Sequence, residues 1–202
     1  MHNAEPSPPL FPPLVLASSS PYRREILAKL GLPFTCAAPE IDESPLPDEP
    51  VERLVVRLAE NKARALGTRF PGHLIIGSDQ SAALDDQVMG KPGCRERTME
   101  QLRAASGRTV VFYTALCVLN SGSGESLCDL DVTRVTFRVL DERQIAGYVE
   151  REQPYDCAGG FKSEGLGVAL FERIETEDPN ALVGLPLIRL IRLLEAFGVH
   201  VI

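Results

Sequence analysis

The sequence predicts an α/β fold with a mixed β-sheet, and three features of its pattern lead to this prediction. In the first half of the chain, short apolar runs alternate with amphipathic segments, as strands and helices do in α/β folds. The runs 109–120 and 127–140 are joined by the turn SGSGE, a pattern typical of an antiparallel hairpin. An amphipathic helix is predicted over 185–197. One sheet is therefore expected to contain both parallel and antiparallel pairs.

The first elements follow from local signals. The apolar run in LVLAS (14–18) predicts a buried strand. Ser20 and Pro21 then suit an N-cap and a first helical position. Gly31 suits the end of that helix.

Later elements follow in the same way. Helices are predicted over 51–66, around 96–105 and after Asp141, which suits an N-cap. Strands are predicted over 73–80 and 168–175. Glycine-rich and proline-rich segments separate these elements and are expected to be loops.

Length and composition indicate one globular domain. With 202 residues and a 44% hydrophobic content, the chain can bury a core without disulfides or a structural metal. Residues 14–202 are expected to form this single domain. Residues 1–13 are rich in proline and lack the basic and apolar regions of a signal peptide. They are expected to form a flexible extension.

Cysteine content and charge limit the classes of function. The five cysteines are an odd number with no CxxC spacing, which indicates reduced thiols and a cytoplasmic location. No apolar segment reaches the roughly 18 residues of a membrane span. The net charge of −7 and pI near 5.1 disfavour stable nucleic-acid binding. A phosphate site would have to be a local cluster of cations.

The stretch LASSSPYRREIL (16–27) offers such a cluster. A strand, a polar turn and a helix N-terminus would present free backbone N–H groups and a positive dipole end. Serine hydroxyls add donors, and arginines match phosphate oxygens with paired N–H groups. A capped helix with solvated arginines explains the same residues equally well.

Two single residues stand out against their surroundings. Lys62 falls in the middle of the apolar face of the 51–66 helix, so it either extends to water or points at an anion beside a cleft. Asp79 ends the apolar run LIIGSD, where α/β sheets place their ligands. An aspartate there could also simply cap a turn.

Three loops carry further candidates, although solvation is the default interpretation of each. The segments are GKP with Lys91, GGFKSEG with Lys162 and Glu164, and PEIDE with Glu40, Asp42 and Glu43. The last segment supplies hard oxygen ligands suited to Mg²⁺ or Mn²⁺. No Ser-His-Asp triad and no activated cysteine is predicted, because none of the three histidines is suitably placed.

Together these segments resemble the Maf family of nucleoside triphosphate pyrophosphatases. The matching motifs run in family order over residues 14 to about 195, and they are LASSSPYRREIL, APEIDE, the Lys62 helix, IIGSDQ, GKP, CAGGFKSEGLG and DPNALVGLPL. The resemblance implies an elongated, Ham1-like (ITPase-like) mixed sheet with flanking helices and two lobes around a central cleft. It also implies a homodimer and a divalent metal cofactor, Mg²⁺ or Mn²⁺.

The resemblance further implies the roles of individual residues. Asp79 matches the family's proton acceptor and, with Glu40, its metal-binding carboxylates. The residues on the phosphate side are Ser18, Ser20, Arg23, Lys62, Lys91 and Lys162. The implied reaction is hydrolysis of a nucleoside triphosphate to the monophosphate and diphosphate, which depends on positioning and on neutralising developing charge.

Three positions are similar to the subgroup that acts on 7-methyl-GTP: Tyr22, Gln80 and Glu164. Methylation at N7 gives the guanine ring a positive charge, which a tyrosine face attracts by about 0.5–2 kcal/mol. A carboxylate such as Glu164 could accept hydrogen bonds from N1–H and the exocyclic amine. The expected role is to keep modified nucleotides out of nucleic acids. Alternatives are a dTTP/UTP pyrophosphatase of the same family and a non-catalytic cell-division regulator.

Overall fold

The computed structural model describes residues 11–85 and 87–202. The expected N-terminal extension therefore lies, apart from residues 11–13, outside the described residues. The described chain forms one mixed sheet flanked by helices, as predicted. The strands are β1 (Leu14–Ala17), β2 (Phe34–Ala37), β3 (Leu74–Leu84), β4 (Gln87–Met89), β5 (Thr109–Asn120), β6 (Ser126–Phe137) and β7 (Phe171–Glu175). The helices are α1 (Pro21–Ala28), α2 (Val51–Ala65), α3 (Arg95–Ala105), α4 (Glu142–Glu152) and α5 (Leu187–Ala196).

The sheet combines a parallel and an antiparallel part. Its strand order is β2-β1-β3-β5-β6-β7, and β4 pairs with β3 outside this path. Strand β1 is parallel to both β2 and β3, whereas all other pairs are antiparallel. The sequence does not predict the short strand β2, but the segment LDDQVMGKPG predicts a hairpin-like turn, where β4 pairs with the end of β3. Strand β7 begins later than predicted because a 3₁₀ turn covers Leu166–Leu170.

A gap in the pairing of β3 creates the cleft. On one side, β3 pairs with β5 from Leu74 to Ala83. On the other side, β1 pairs with the start of β3 and β4 with its end. Within the described part of the chain, no strand pairs with residues 78–81 on that second side. This unpaired segment lies between the two halves of the sheet.

Two hydrophobic cores make the two lobes around this gap. One core surrounds Phe112 and Phe137 and includes residues of α3 and α4. Another contains Leu16 and Ile76 and includes residues of α1 and α5. Because these cores pack at opposite ends of β3 and β5, the unpaired segment of β3 lies between the lobes. None of the helices in the described part of the chain is long and apolar enough to cross a membrane.

Helix α2 approaches β3 closely at Gly77. A Cβ atom added there would meet the carbonyl oxygen of Ala59 at 2.0 Å. Only glycine allows this approach, because any side chain would force the helix away from the strand. The contact fixes where the rest of α2 lies along β3.

Gly77→Ala is therefore expected to lower the free energy of unfolding by at least about 1–3 kcal/mol, the usual cost of overpacking. Gly147→Ala is the matched control, since it adds the same methyl group to α4 where nothing lies within 4 Å. The control should raise stability by about 0.5–1 kcal/mol. Urea denaturation of both variants tests the contact, and equal stability of the two would contradict it.

Candidate active site

The centre of the candidate site is a lysine between two carboxylates. Asp79 lies in the unpaired segment of β3. Lys62 Nζ donates a hydrogen bond to Asp79 Oδ1 at 2.6 Å and lies 2.7 Å from Glu43 Oε1. Lys62 and Asp79 are each only 7% exposed, whereas the Glu43 side chain is 58% exposed. The cleft therefore holds a buried ion pair with a second carboxylate at its mouth.

The local sequence explains this meeting. Side chains alternate between the faces of a strand, so Gly77 and Asp79 lie on the same face of β3. Residues three apart on a helix lie on one face, so Lys62 follows Ala59 along the contact with the strand. The close approach at Gly77 thus brings the ammonium group to Asp79.

Burial and charge act in opposite directions on the carboxylates. Burial raises the pKa of Asp79 above its ordinary value, and the Lys62 charge opposes this effect. Partial burial also acts to raise the pKa of Glu43, but the hydrogen bond and charge of Lys62 hold it below its ordinary value. The charges of Lys91 and Arg23 contribute to that decrease. Three cations from three parts of the chain therefore act on one small region.

The stretch that follows β1 forms the predicted turn and capped helix. Ser18 Oγ accepts a hydrogen bond from Ser20 N at 3.1 Å, and Ser20 Oγ accepts one from Arg23 N at 3.4 Å. Arg23 Nε donates to the carbonyl of Gly184 at 2.8 Å. Among the described residues, no partner occupies its two terminal nitrogens. These nitrogens can bind an anion.

A loop between β7 and α5 supports the arginine from the other side. Ser78 Oγ donates to the Gly184 carbonyl at 2.9 Å, so strand and arginine share one acceptor. Asp178 is buried and accepts hydrogen bonds from the backbone N–H groups of Asn180 and Ile188. In the sequence, Asp178 begins the motif DPNALVGLPL, and its position before Pro-Asn is typical of a turn-forming aspartate, but no pattern indicates its buried contacts with the start of α5.

Gln80 does not lie on the face of β3 that carries Asp79. Its amide nitrogen contacts Thr114 Oγ1 at 2.9 Å and the carbonyls of Ala181 and Leu182 at 2.9 and 3.1 Å. It therefore ties the loop before α5 to the sheet. Any influence of Gln80 on substrate choice would act through the position of this loop.

Lys91 reaches the region from the other lobe. It is exposed on the loop between β4 and α3, and its charge lowers the pKa of Glu43. Gly93 N donates to the carbonyl of Tyr155 at 2.8 Å, and Gln101 Nε2 donates to that of Gly90 at 2.9 Å. These contacts hold the loop in place on both sides of Lys91.

Tyr22 faces the segment that follows α4. Burial raises the pKa of its phenol, and the nearby acidic side chains of Cys157, Asp156, Glu164 and Glu152 add to that increase. Burial also raises the pKa of the Cys157 thiol to about 12, which leaves this thiol neutral and a poor nucleophile. Tyr22 and Glu164 are therefore close enough to influence one another across the cleft.

The Lys162 side chain is held at the C-terminal end of α4. Its Nζ donates to the carbonyl of Glu152 at 2.8 Å, at the C-terminal end of α4. Its backbone N–H donates to the Tyr148 hydroxyl at 2.9 Å. In this conformation Lys162 caps a helix, and its predicted role in phosphate binding would require the side chain to move.

The acidic loop contributes Glu43 rather than its neighbours. Glu40 is exposed and has no hydrogen bond or ion pair within the described residues, and Asp42 accepts a hydrogen bond from Ser44 N at 2.9 Å. In residues 11–85 and 87–202, no three His, Cys, Asp or Glu side chains converge as a metal site. The carboxylates of Asp79 and Glu43 nevertheless fit a Mg²⁺ ion, which commonly binds one or two carboxylates together with substrate phosphates.

Comparison with known proteins gives consistent matches. The family described as Maf-like protein matches residues 13–197. The 7-methyl-GTP pyrophosphatase of Nitrosococcus oceani is 57% identical over 202 residues, which are 100% of both chains. The 7-methyl-GTP pyrophosphatase of Pseudomonas fluorescens is 56% identical over 94% of this chain and 98% of the relative. The solved structure of the Staphylococcus aureus Ham1 protein has a TM-score of 0.47 and 12% identity, over 76% of this chain and 88% of that chain.

Proposed function

We propose that this chain, which belongs to the Maf family, hydrolyses 7-methyl-GTP to 7-methyl-GMP and diphosphate. The observation that carries the proposal is the buried Lys62–Asp79 pair in the unpaired segment of β3, with Glu43 beside it. Relatives named 7-methyl-GTP pyrophosphatase that match over nearly the whole chain support the substrate. The enzyme is thus a hydrolase of phosphorus anhydrides.

Asp79 acts as the proton acceptor in this proposal. Its carboxylate lies in the unpaired segment of β3, and burial raises its pKa above the ordinary value, which is the direction that suits a general base. It would take a proton from the water that attacks the α-phosphate. The bond between the α-phosphorus and the bridging oxygen then breaks, and diphosphate leaves.

The cations neutralise the charge that develops on the diphosphate. Lys62 carries three N–H donors, two of which are directed to Asp79 and Glu43, so one remains for a phosphate oxygen. The free terminal nitrogens of Arg23 and the exposed Lys91 add further positive charge. Ser18 and Ser20 set the turn that positions Arg23. Such preorganised charge is a large contribution to phosphoryl transfer.

A divalent cation, Mg²⁺ or Mn²⁺, would be held by Asp79 and Glu43, and Glu40 stays a candidate in the same loop. When bound, such an ion supplies charge neutralisation for the phosphate oxygens. Two carboxylates suffice for this, since the triphosphate provides the other oxygen ligands.

Tyr22 and Glu164 are proposed to recognise the methylated base. Tyr22 is an aromatic side chain near the carboxylates of Asp156, Glu164 and Glu152, and such an environment favours a cationic ring. The double variant Tyr22→Arg/Glu164→Gln is expected to lower the ratio of kcat/KM for 7-methyl-GTP to that for GTP by about 10-fold or more. A loss of about 1.4 kcal/mol in the preference for the methylated base corresponds to a tenfold change in this ratio. Gln80→Thr serves as a comparison for the third predicted specificity residue. An unchanged ratio in the double variant would remove Tyr22 and Glu164 from base recognition.

Activity is expected to fall on the acidic side as Asp79 takes up a proton. Because burial raises its pKa above the ordinary 3.8, the loss should begin at a higher pH than for an exposed aspartate. Lys62 opposes that increase, so Lys62→Gln should move the acidic limb of kcat/KM to higher pH. This limb reports groups of the free enzyme. Arg103→Gln, in an exposed ion pair with Glu142, is the control. If Lys62→Gln did not shift the acidic limb of kcat/KM, Asp79 would be excluded as the group whose protonation causes this limb.

Hydrolysis in ¹⁸O-labelled water tests the proposed reaction. Attack at the α-phosphorus places the label in 7-methyl-GMP, whereas attack at the β-phosphorus places it in diphosphate. Mass spectrometry of the products distinguishes the two. Labelled diphosphate, or release of a nucleoside diphosphate and phosphate, would contradict the proposal.

In the cell, this reaction would remove a methylated nucleotide before its incorporation into nucleic acids. The homodimer, the cytoplasmic location and the absence of stable nucleic-acid binding stay predictions. Size-exclusion chromatography with light scattering would determine the number of chains in the particle.

A further inference from the structure

Two cysteines outside the candidate site face one another across the sheet. Cys117 of β5 and Cys128 of β6 are directly opposite in the antiparallel register, and each thiol shifts the pKa of the other. Opposed residues in such a pair have Cα atoms about 4.5 or about 5.5 Å apart. Disulfides span Cα distances of about 4.4–6.8 Å. The backbone therefore already meets the distance requirement for a bond between the two sulfur atoms.

The two thiols differ in access and in chemistry. Cys128 is exposed, whereas Cys117 is buried. The neighbouring Cys117 lowers the pKa of Cys128 below its ordinary value, and the Arg64 charge assists this decrease, whereas burial and the Glu60 charge oppose it. In turn, Cys128 and burial raise the pKa of Cys117. A solvent-accessible thiol of lowered pKa beside a second cysteine is the arrangement found at redox-sensitive cysteines.

We propose that Cys128 is a peroxide-reactive thiol and that Cys117 converts the oxidised form into a reversible disulfide. The Cys128 thiolate attacks one oxygen of hydrogen peroxide, the O–O bond breaks, and protonation of the leaving oxygen gives water and a sulfenic acid. The Cys117 sulfur then attacks the Cys128 sulfur, and the S–O bond breaks. The second water leaves with the Cys117 proton. The two sulfur atoms lose two electrons, which reduce the peroxide, and a dithiol reductant reverses the change.

The buried member of the pair, Cys117, lies beneath the helix that carries Lys62. Cys117 packs in one core cluster with Val55 and Ala59 of α2. Its register partner on β3 is Gly77, two residues before Asp79. The disulfide would therefore form on the sheet surface against which α2 packs. The proposal does not depend on the reaction proposed for the cleft, because neither thiol takes part in that reaction.

Peptide mapping after oxidation tests the proposal on the full chain. The folded protein is treated with hydrogen peroxide, free thiols are blocked with iodoacetamide, and peptides are analysed by mass spectrometry. We expect a Cys117–Cys128 disulfide that dithiothreitol removes. Cys36 is the internal control. It is exposed, but its partner in the sheet register is Leu16, which cannot form a disulfide with it. Oxidation of Cys36 while Cys117 and Cys128 stay reduced would overturn the proposal.

Two variants separate the roles of the pair. Cys117→Ser should leave a sulfenic acid on Cys128 that dimedone traps, whereas Cys128→Ser should leave Cys117 reduced. Circular dichroism verifies that each variant is folded, and the wild-type mapping stands independently of both. Dimedone labelling of Cys117 in Cys128→Ser would mean that Cys117 itself reacts with peroxide, which contradicts the proposal.

Discussion

Asp79→Asn is expected to lower kcat/KM for 7-methyl-GTP by about 10²–10⁴-fold, the usual contribution of a general base. The amide keeps the size of the side chain but cannot accept a proton from water. It also removes one of the two carboxylates proposed to hold the divalent ion. Steady-state diphosphate release measures the loss.

Asp141→Asn is the matched control for this variant. It neutralises another aspartate in the same way, but asparagine can still cap α4. The control should keep wild-type activity. If Asp79→Asn also retained near wild-type activity, the general base would have to be another group.

Lys62→Met is expected to have the second-largest effect, on both stability and activity. Removing the ammonium group leaves the carboxylate of Asp79 buried without its partner, which typically costs about 3–5 kcal/mol. The unpaired carboxylate should have a further raised pKa in the folded state. The loss of stability is therefore largest above that folded pKa and disappears as the pH falls toward the unfolded value. Activity should fall about 10²–10³-fold, as for other charge-stabilising groups.

Urea denaturation of a double-mutant cycle measures how much of the lost stability comes from the interaction between Lys62 and Asp79. Lys62→Met/Asp79→Asn should be more stable than Lys62→Met alone, since the buried charge is then gone. Arg103→Met breaks the exposed pair with Glu142 and should cost less than about 1 kcal/mol. A double variant no more stable than Lys62→Met would mean that the two side chains do not interact in solution.

The predictions that the structure matches come from local patterns. Strand, turn and cap at β1 and α1 depend on residues only a few positions apart, so Ser20 and Pro21 were sufficient to predict them. Lys62 was noticed because helical periodicity placed a charge on an apolar face, and the structure buries it there. The hairpin of β5 and β6 was likewise apparent from its turn.

The differences arise where position depends on distant contacts. The loop over 38–50 has no periodicity, so the sequence could not indicate that Glu43 rather than Glu40 contacts Lys62. Gln80 adjoins Asp79 in sequence, but its side chain lies on the other face of the strand, where two of its partners, Ala181 and Leu182, are about 100 residues away. Strand β2 has only four residues, and its pairing with β1 gives no local signal.

The most direct test of the central claim is diphosphate release from a panel of nucleotides. The wild-type protein, with Mg²⁺ or Mn²⁺, is given 7-methyl-GTP, GTP, dTTP, UTP, CTP and ATP, with Asp79→Asn as the blank. The proposed function predicts the highest kcat/KM for 7-methyl-GTP and its loss in the variant. Release mainly from dTTP and UTP would contradict the proposed substrate, and no release by the folded protein would contradict the proposed reaction.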